Sequence, residues 1–449
     1  MKKMLQILAL VLALMMVLTA CAGKTEAPAA AAPAGTEQNA ANESAEGAAP
    51  ETGTKSGETG EFVPKLDTQA SVELNVAVFF GNFEAFDQVI NHFNAFYPDV
   101  TITYEAISGS NEPGFLENNP YLDIFMTSTE RGYPTDSCVD LLADGVDFGA
   151  VSDGLLESNT VDGKVLALPM GLTLKGIVVN KTLLENEGLT EPQTWPEFLS
   201  VLEALKQKGY TPIQDPNSVM GNLIYNMGMV MLSEDSALLT AVQNGDAQGA
   251  TALQITYDRM QELYDNGYIS TEVNAAYPED NYDGAIMKFF EGDVPFWVCD
   301  TEKVSGMKKR ESKSEAFSAN PFDYEFTFAP MGDNGVYAYL EPWYGFAVNK
   351  DSEDCDYAVE FLRFMAREDE LNTLASVKGV PSVAKNAPDE RYVNLRGIEK
   401  IALSAVCDGS VPAYFGTLFS HTANDMLTEE TPRVDEAVQT FVSRCAESL

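Results

Sequence analysis

Apolar residues alternate with polar or small ones at Val72, Leu74, Val76, Val78 and Phe80, a period of two that predicts a strand closing at Gly81-Asn82. The period then lengthens. Phe86, Val89, Ile90, Phe93 and Phe96 fall on one helical face, and Tyr97-Pro98-Asp99 ends that helix before the alternating VTITYEA from Val100. After a loop rich in Asn, Pro and Gly, the apolar stretch Leu122-Asp123-Ile124-Phe125-Met126 predicts a third strand. Strand, helix, strand, loop, strand predicts parallel pairing through right-handed crossovers, with ligands beyond the carboxyl ends of the strands. Asn82 and Phe83, Glu105, and Thr127 to Arg131 share that rim.

The alternation continues through Gly163 to Pro169 and a strand from Leu174 to Val179, closed by Asn180-Lys181. Thr194-Trp195-Pro196-Glu197 starts a helix: Thr194 caps it, Pro196 suits its first turn and Glu197 completes a capping box. Phe198, Val201, Leu202 and Leu205 form its buried stripe, and Trp195 is expected to pack structurally. A helix from Tyr282 to Phe290 precedes a strand from Val294 to Asp300. Strands follow over Tyr324 to Phe328 and Tyr339 to Lys350, then helices over Tyr357 to Ala366 and Leu371 to Ser376. The chain is α/β throughout.

The first twenty residues change the picture of location. Lys2 and Lys3 precede an apolar run from Leu5 to Leu18 that includes Gln6. The run is shorter than the roughly 20 residues a membrane-spanning helix needs, and it suits a secretory signal over 1–20. Leu18-Thr19-Ala20-Cys21 looks like a lipoprotein cleavage site, with Cys21 carrying the lipid; the plainer reading is an ordinary signal with a chance cysteine. From Ala22 to Leu66 the chain is mostly Ala, Pro, Gly, Ser, Thr and Glu, with no aromatic residue before Phe62. It is expected to be an unfolded tether over 21–67, spanning roughly 35–40 Å as a flexible coil. The remainder is long enough for two lobes.

Charge narrows the partners. With 28 basic against 68 acidic residues the formal charge is −40, so nucleic acid and anionic membrane surfaces are poor partners. Of six cysteines, Cys21 is reserved for lipid, which leaves five, an odd number with no tight metal spacing. Cys407 with Cys445 is one pairing the count allows. No metal and no cofactor are expected, and a monomer is.

Four blocks carry a resemblance: YLDIFMTSTERG; LPMGLTLKGIVVNK with the following TEPQTWPEF; MKFFEGDVPFWVCDTE; and WYGFAVNKDSEDCDYAVEFLRFM with Val380-Pro381 beyond it. Together they resemble the extracellular solute-binding proteins of ABC importers, the sugar-binding, maltose-binding-protein-like class. The resemblance implies a two-lobed periplasmic-binding-protein-like fold, with mixed sheets flanked by helices and a hinge crossed three times. The crossings would fall near Ala167 to Gly171, Asp323 to Phe326 and Ala375 to Pro381. Lobe one would then be 68–168 with 327–376, and lobe two 169–326 with 377–449. It implies a carbohydrate ligand held between the lobes and delivered to the permease subunits of an ABC transporter, with the lipid anchor keeping the protein at the outer face of the cell membrane.

A sugar presents hydroxyls and flat apolar faces, so its site needs carboxylates, amides or Arg beside aromatic platforms. By position in the matching blocks, the expected ligand contacts are Glu130, Arg131, Asp300, Glu302 and Trp343, joined by Asn82 and Phe83 at the first strand-to-helix turn. Tyr344, next to Trp343, is expected to point to the opposite face, and Tyr225, Tyr414 and Phe415 are offered as lobe-two platforms or core. Three rival readings stand beside this one. A surface hydrolase would use paired carboxylates, but 68 acidic residues guarantee chance pairs, and the chain carries only two histidines and neither GxSxG nor HExxH. A calcium-dependent surface binder would use Asp280-Asn281-Tyr282-Asp283-Gly284, which lacks the twelve-residue loop with its terminal Glu. A receptor for a non-sugar solute is the third.

Overall fold

A computed structural model describes residues 61–449 apart from 108, 111–113, 128–135, 158, 215–219, 276–281, 388–400, 407–409, 413, 429–432, 448 and 449. The signal segment, Cys21 and the tether as far as residue 60, together with Glu130, Arg131, Cys407, Asp280 and Asn281, lie outside the described residues.

The opening unit forms as its periodicity requires. Strand β1 (Val72–Val78) pairs in parallel with β2 (Val100–Ala106) and with β3 (Ile124–Thr127). Helix α1 (Glu84–Asn94) crosses between β1 and β2 and buries Phe86, Val89, Ile90 and Phe93. Two further strands complete this sheet: β4 (Leu168–Thr173), and the thirteen-residue β9 (Val336–Val348), which runs antiparallel to both β3 and β4. A last strand, β10 (Ile401–Val406), pairs in parallel with the beginning of β9.

The second sheet has the order β8-β5-β7-β6, built from β5 (Lys175–Asn180), β6 (Ile213–Gln214), β7 (Phe296–Asp300) and β8 (Tyr324–Thr327). Both its faces are covered. Along β7, Phe296 and Val298 join one core with Phe198 and Leu202 of α2 (Trp195–Gln207), while Trp297 and Cys299 join another with Phe289 and Phe326. Alternate side chains leave a strand on opposite faces, so a strand buried on both sides reads as an unbroken apolar run. Gly176 of β5 has a separate reason: a Cβ there would lie 2.3 Å from the Thr327 carbonyl oxygen of β8. The centre of this lobe is α3 (Asn222–Glu234), buried on nearly every side, with α4 (Ala247–Asp265) packed beside it.

Trp195 is buried, as expected of a structural residue, and the Arg259 guanidinium lies 5.2 Å from its ring centre. Thr194 Oγ1 accepts from the Glu197 amide, and Glu197 in turn accepts from the Gln193 amide, one residue earlier than the expected box. After β7 the chain enters α5 (Thr301–Arg310), capped by Asp300, whose carboxylate accepts from the Lys303 amide and from its ammonium. Four longer helices follow later in the chain: α6 (Cys355–Met365), α7 (Glu368–Lys378), α8 (Tyr414–Thr428) and α9 (Val434–Glu447). Among the described residues no disulfide is formed by Cys138, Cys299, Cys355 or Cys445.

The strand pairings shift the expected crossings toward the C-terminus. β4 belongs to the first sheet through Thr173, so the chain changes sheets at Leu174 rather than by Gly171. Residues 327–340, assigned to lobe one by the resemblance, pack with the second lobe: Phe328, Val336 and Ala338 share a core with Val178 and Trp297. The chain rejoins the first sheet where Glu341 pairs with Thr173. The cause is the length of β9, which serves both lobes in turn. Val383 and Ala384 still pack in the first core, beyond the expected third crossing.

The folded body also begins before residue 68. Phe62 is buried between Phe96 and Phe364, with the Arg363 guanidinium 4.3 Å from its ring centre. Glu360, 3% exposed, ties this segment down: it accepts from the Lys65 amide at 2.9 Å, the Tyr97 hydroxyl at 2.6 Å and the Arg363 guanidinium at 2.7 and 2.8 Å. Burial alone would raise the Glu360 pKa, but these hydrogen bonds outweigh it and hold the carboxyl below the usual glutamate range. Burial, and then the Glu360 hydrogen bond, push Tyr97 up to about 12.

Two outcomes are expected in denaturation measurements. Glu360→Ala leaves Arg363 and Tyr97 without their acceptor and should cost about 3 kcal/mol at neutral pH. Because the folded-state pKa is depressed, that contribution is complete above the ordinary glutamate value of about 4.3 and is lost as pH falls through the folded value, so the two proteins should converge in acid. Asp300→Ala removes an N-cap and should lower stability by about 1 kcal/mol, read from the shift in urea midpoint.

Candidate functional site

The ends of β1 and α5 face each other across a cavity of about 390 Å³, at the low end of the roughly 300–1,000 Å³ usual for small-molecule sites. The first lobe supplies Phe80, Asn82, Phe83 and Glu84 from the turn after β1, together with Trp343 from β9. The second supplies Ser305, Gly306, Lys309 and Arg310 from α5. Val377 and Lys378, at the end of α7, close one side.

Local geometry explains why these side chains meet. β1 ends at Val78, and the next five residues turn into α1, so Phe80 and Phe83 come together with ring centres 4.9 Å apart. Trp343 stands 5.3 Å from Phe80. Tyr344 is fully buried behind them, 5.9 Å from Phe80, and does not line the cavity. The Lys378 ammonium lies over this cluster, 3.7 Å from the Phe80 ring centre, 5.2 Å from Trp343 and 5.8 Å from Phe83. A cation over aromatic faces is held by the ring quadrupole. Across the cavity Lys309 donates to Glu84 at 2.8 Å, an ion pair that joins the two lobes. That hydrogen bond holds the Glu84 carboxyl below its usual range. Arg310 pairs with Asp283 at 2.6 Å and donates to the Gly306 carbonyl.

The cavity gathers three of the expected contact residues, Asn82, Phe83 and Trp343. Phe83 is 1% exposed and stacks on Phe86, so it backs the platform more than it presents a face. Asp300 is not among the lining residues; both its oxygens are engaged by Lys303. Glu302 lies in the first turn of α5, and Glu130 and Arg131 lie outside the described residues. Of the platforms offered for the second lobe, Tyr225 and Phe415 are core, and the Tyr414 hydroxyl donates to the Cys445 carbonyl. Asp283, from the stretch weighed for calcium, is the ion partner of Arg310.

Phe80, Glu84, Lys309, Arg310 and Lys378 were missed by sequence reasoning. Phe80 was taken as the last residue of β1, whereas the strand stops two residues earlier. The signal for Lys309 and Arg310 was Lys308-Lys309-Arg310, three adjacent cations in an acidic chain, in the helix that follows the apolar strand β7. Glu84 is the one carboxylate among the described lining residues, and no His or Cys joins it. The arrangement offers aromatic faces, cations and an amide, which can hold a polar ligand from two sides.

Comparison with known proteins agrees with this architecture. Residues 80–371 match the family model described as bacterial extracellular solute-binding protein. A multiple sugar-binding protein of Streptococcus mutans is 40% identical over 52 residues, 12% of each chain. A diacetylchitobiose-binding protein of Streptomyces coelicolor is 33% identical over 106 residues, 23% of this chain and 20% of that one. The chain spans at most 39% of the length of the curated relatives it matches. Among solved structures, a chitin-oligosaccharide-binding protein superposes with TM-score 0.63 at 18% identity, covering 84% of this chain and 99% of its own. RafE in complex with raffinose gives 0.61 at 14%, covering 83% and 99%. Maltose-bound MalE3 of T. maritima gives 0.61 at 17%, covering 84% and 100%. At these identities the likeness is one of fold, and the fold is the two-lobed one described above. The family match runs from the aromatic turn after β1 into α7, so the chain belongs to the bacterial extracellular solute-binding protein family.

Proposed function

We propose that this protein captures a carbohydrate, an oligosaccharide in particular, between its lobes and hands the closed complex to the permease of an ABC transporter. The observation that carries the reading is the convergence of Phe80, Phe83 and Trp343 with polar groups of both lobes on one cavity. An aromatic face such as that of Trp343 offers an apolar platform for a sugar ring, while amides and charged groups at the edge fit its hydroxyls. The names of the relatives, a multiple sugar-binding protein and a diacetylchitobiose-binding protein, support the same ligand class.

Asn82, Phe83 and Trp343 are proposed ligand contacts, with Glu130 and Arg131 joining them on the first lobe. Closure would be a hinge motion about the sites where the chain changes sheets, at Leu174, between Leu340 and Glu341, and beyond Ala384. The proposed anchor is lipid on Cys21, with the following tether giving the body reach to its permease.

A thermal-shift screen of the purified protein against mono- and oligosaccharides, with amino acids, peptides and polyamines as controls, tests the ligand class. A true ligand at one hundred times its dissociation constant should add about 2.7 kcal/mol. Trp343→Ala should cost about 2 kcal/mol of binding, roughly 30-fold in affinity. Shifts confined to peptides or polyamines would sink the carbohydrate reading and leave the fold standing. For the anchor, Cys21→Ser should move the protein from the membrane fraction to the medium with its ligand affinity intact; retention at the membrane would refute lipidation there.

A further inference from the structure

The described residues around the cavity invert the charge of the chain. The whole sequence has 28 basic against 68 acidic residues, yet the cavity is lined by three cations, Lys309, Arg310 and Lys378, and one carboxylate, Glu84. A surface that merely sampled the composition would place carboxylates in excess there. The cations come from two elements far apart in sequence, the last turn of α5 and the end of α7. Each helix end favours a cation through its dipole. That accounts for a basic residue at each end, not for both ends facing one cavity beside an aromatic cluster.

We propose that the ligand is an acidic carbohydrate, a saccharide bearing a uronate carboxylate; this rests on the carbohydrate reading above and narrows it. The apolar face of its ring lies on Trp343, beside the Phe80 ring that Lys378 covers, and its carboxylate meets Lys378 and Arg310. A planar guanidinium matches a carboxylate with two parallel hydrogen bonds, and an ammonium adds a compact charge. The ion pairs already present do not oppose this. Lys309 and Glu84 are both exposed, and such a pair exchanges partners at little cost; Arg310, 20% exposed, keeps its bond to the Gly306 carbonyl while its acid partner Asp283 is 59% exposed. The ligand carboxylate takes the place of these internal acids as the lobes close. Lys378, already seated over the aromatic rings, puts positive charge beside the platform on which the sugar stacks.

The test is a comparison of matched trisaccharides, galacturonate, glucuronate and mannuronate oligomers against their neutral hexose counterparts, by calorimetry on the purified chain. At least one uronate should bind about tenfold or more tighter than its neutral counterpart. That advantage should shrink to a few-fold in Lys378→Gln and in Arg310→Gln, persist in Lys378→Arg, and diminish as ionic strength rises from about 20 to about 300 mM. Unliganded melting curves check that each variant is folded, and Lys309→Gln replaces any that is not. Neutral sugars binding as well as or better than uronates, sugar phosphates binding better than both, or a uronate preference that survives the substitutions would each overturn the inference and leave the carbohydrate reading intact. Absence of binding by every saccharide, neutral or acidic, would overturn both.

Discussion

The two lobes share one strand, and the rest of the molecule is organised around that constraint. β9 enters as a partner of β10, packs its first residues against the second lobe, and continues unbroken into the first sheet beside β3 and β4. A β-strand is stiff along its length, so the lobes cannot drift apart; they can only bend about it. At the point of transfer Glu341, 3% exposed, meets Lys175 at 3.3 Å, and the Lys175 ammonium also lies 3.6 Å over the Tyr225 ring. Burying both charges costs desolvation that mutual attraction offsets only in good geometry. The surroundings supply that geometry. Asn226 of α3 donates to the Lys175 carbonyl at 2.7 Å and accepts from the Tyr339 amide at 3.2 Å, bridging β5 to β9.

The cleft inherits its precision from this hinge. α5, which carries Lys309 and Arg310, is fastened to the residue where the chain changes sheets: the Thr301 amide donates to the Leu174 carbonyl, and Thr301 Oγ1 accepts from the Leu174 amide. Trp343 lies two residues after Glu341 on β9. Both walls of the cavity are therefore attached within a few residues of the pivot. The Lys309–Glu84 pair between them, at 62% and 55% exposure, is worth little on its own.

The parts of this design that were legible in the sequence are those with a local cause. The alternation from Val72, the stripe Phe86 to Phe93 and the VTITYEA block each reflect an element with one face buried and one face wet. Thr194-Trp195-Pro196 marked the start of α2 because capping is a matter of four adjacent residues. The central helix of the second lobe went unread. α3 is apolar on nearly every side, because it is buried all round, and so it shows no amphipathic stripe. The hairpin Thr160–Val165 was missed although Asp162-Gly163, both at positive φ (51° and 77°), is a standard two-residue turn signal. The crossings were misplaced because a strand shared between lobes looks, in sequence, like any other strand. Among the cavity-lining residues, Asn82 and Trp343 were named from rim position and block resemblance. Lys378 and Arg310 were not, since their meeting depends on how two helix ends are aimed.

The first described residues are all fastened to one lobe. Phe62, Lys65 and Leu66 are fixed entirely to first-lobe elements: Phe62 packs on Phe96 and Phe364, the Lys65 amide donates to Glu360 of α6, and the Leu66 amide donates to the Tyr97 hydroxyl. None of these partners belongs to the second sheet or to its helices. The described chain therefore begins on the first lobe alone, held there by a buried carboxylate and its hydrogen bonds.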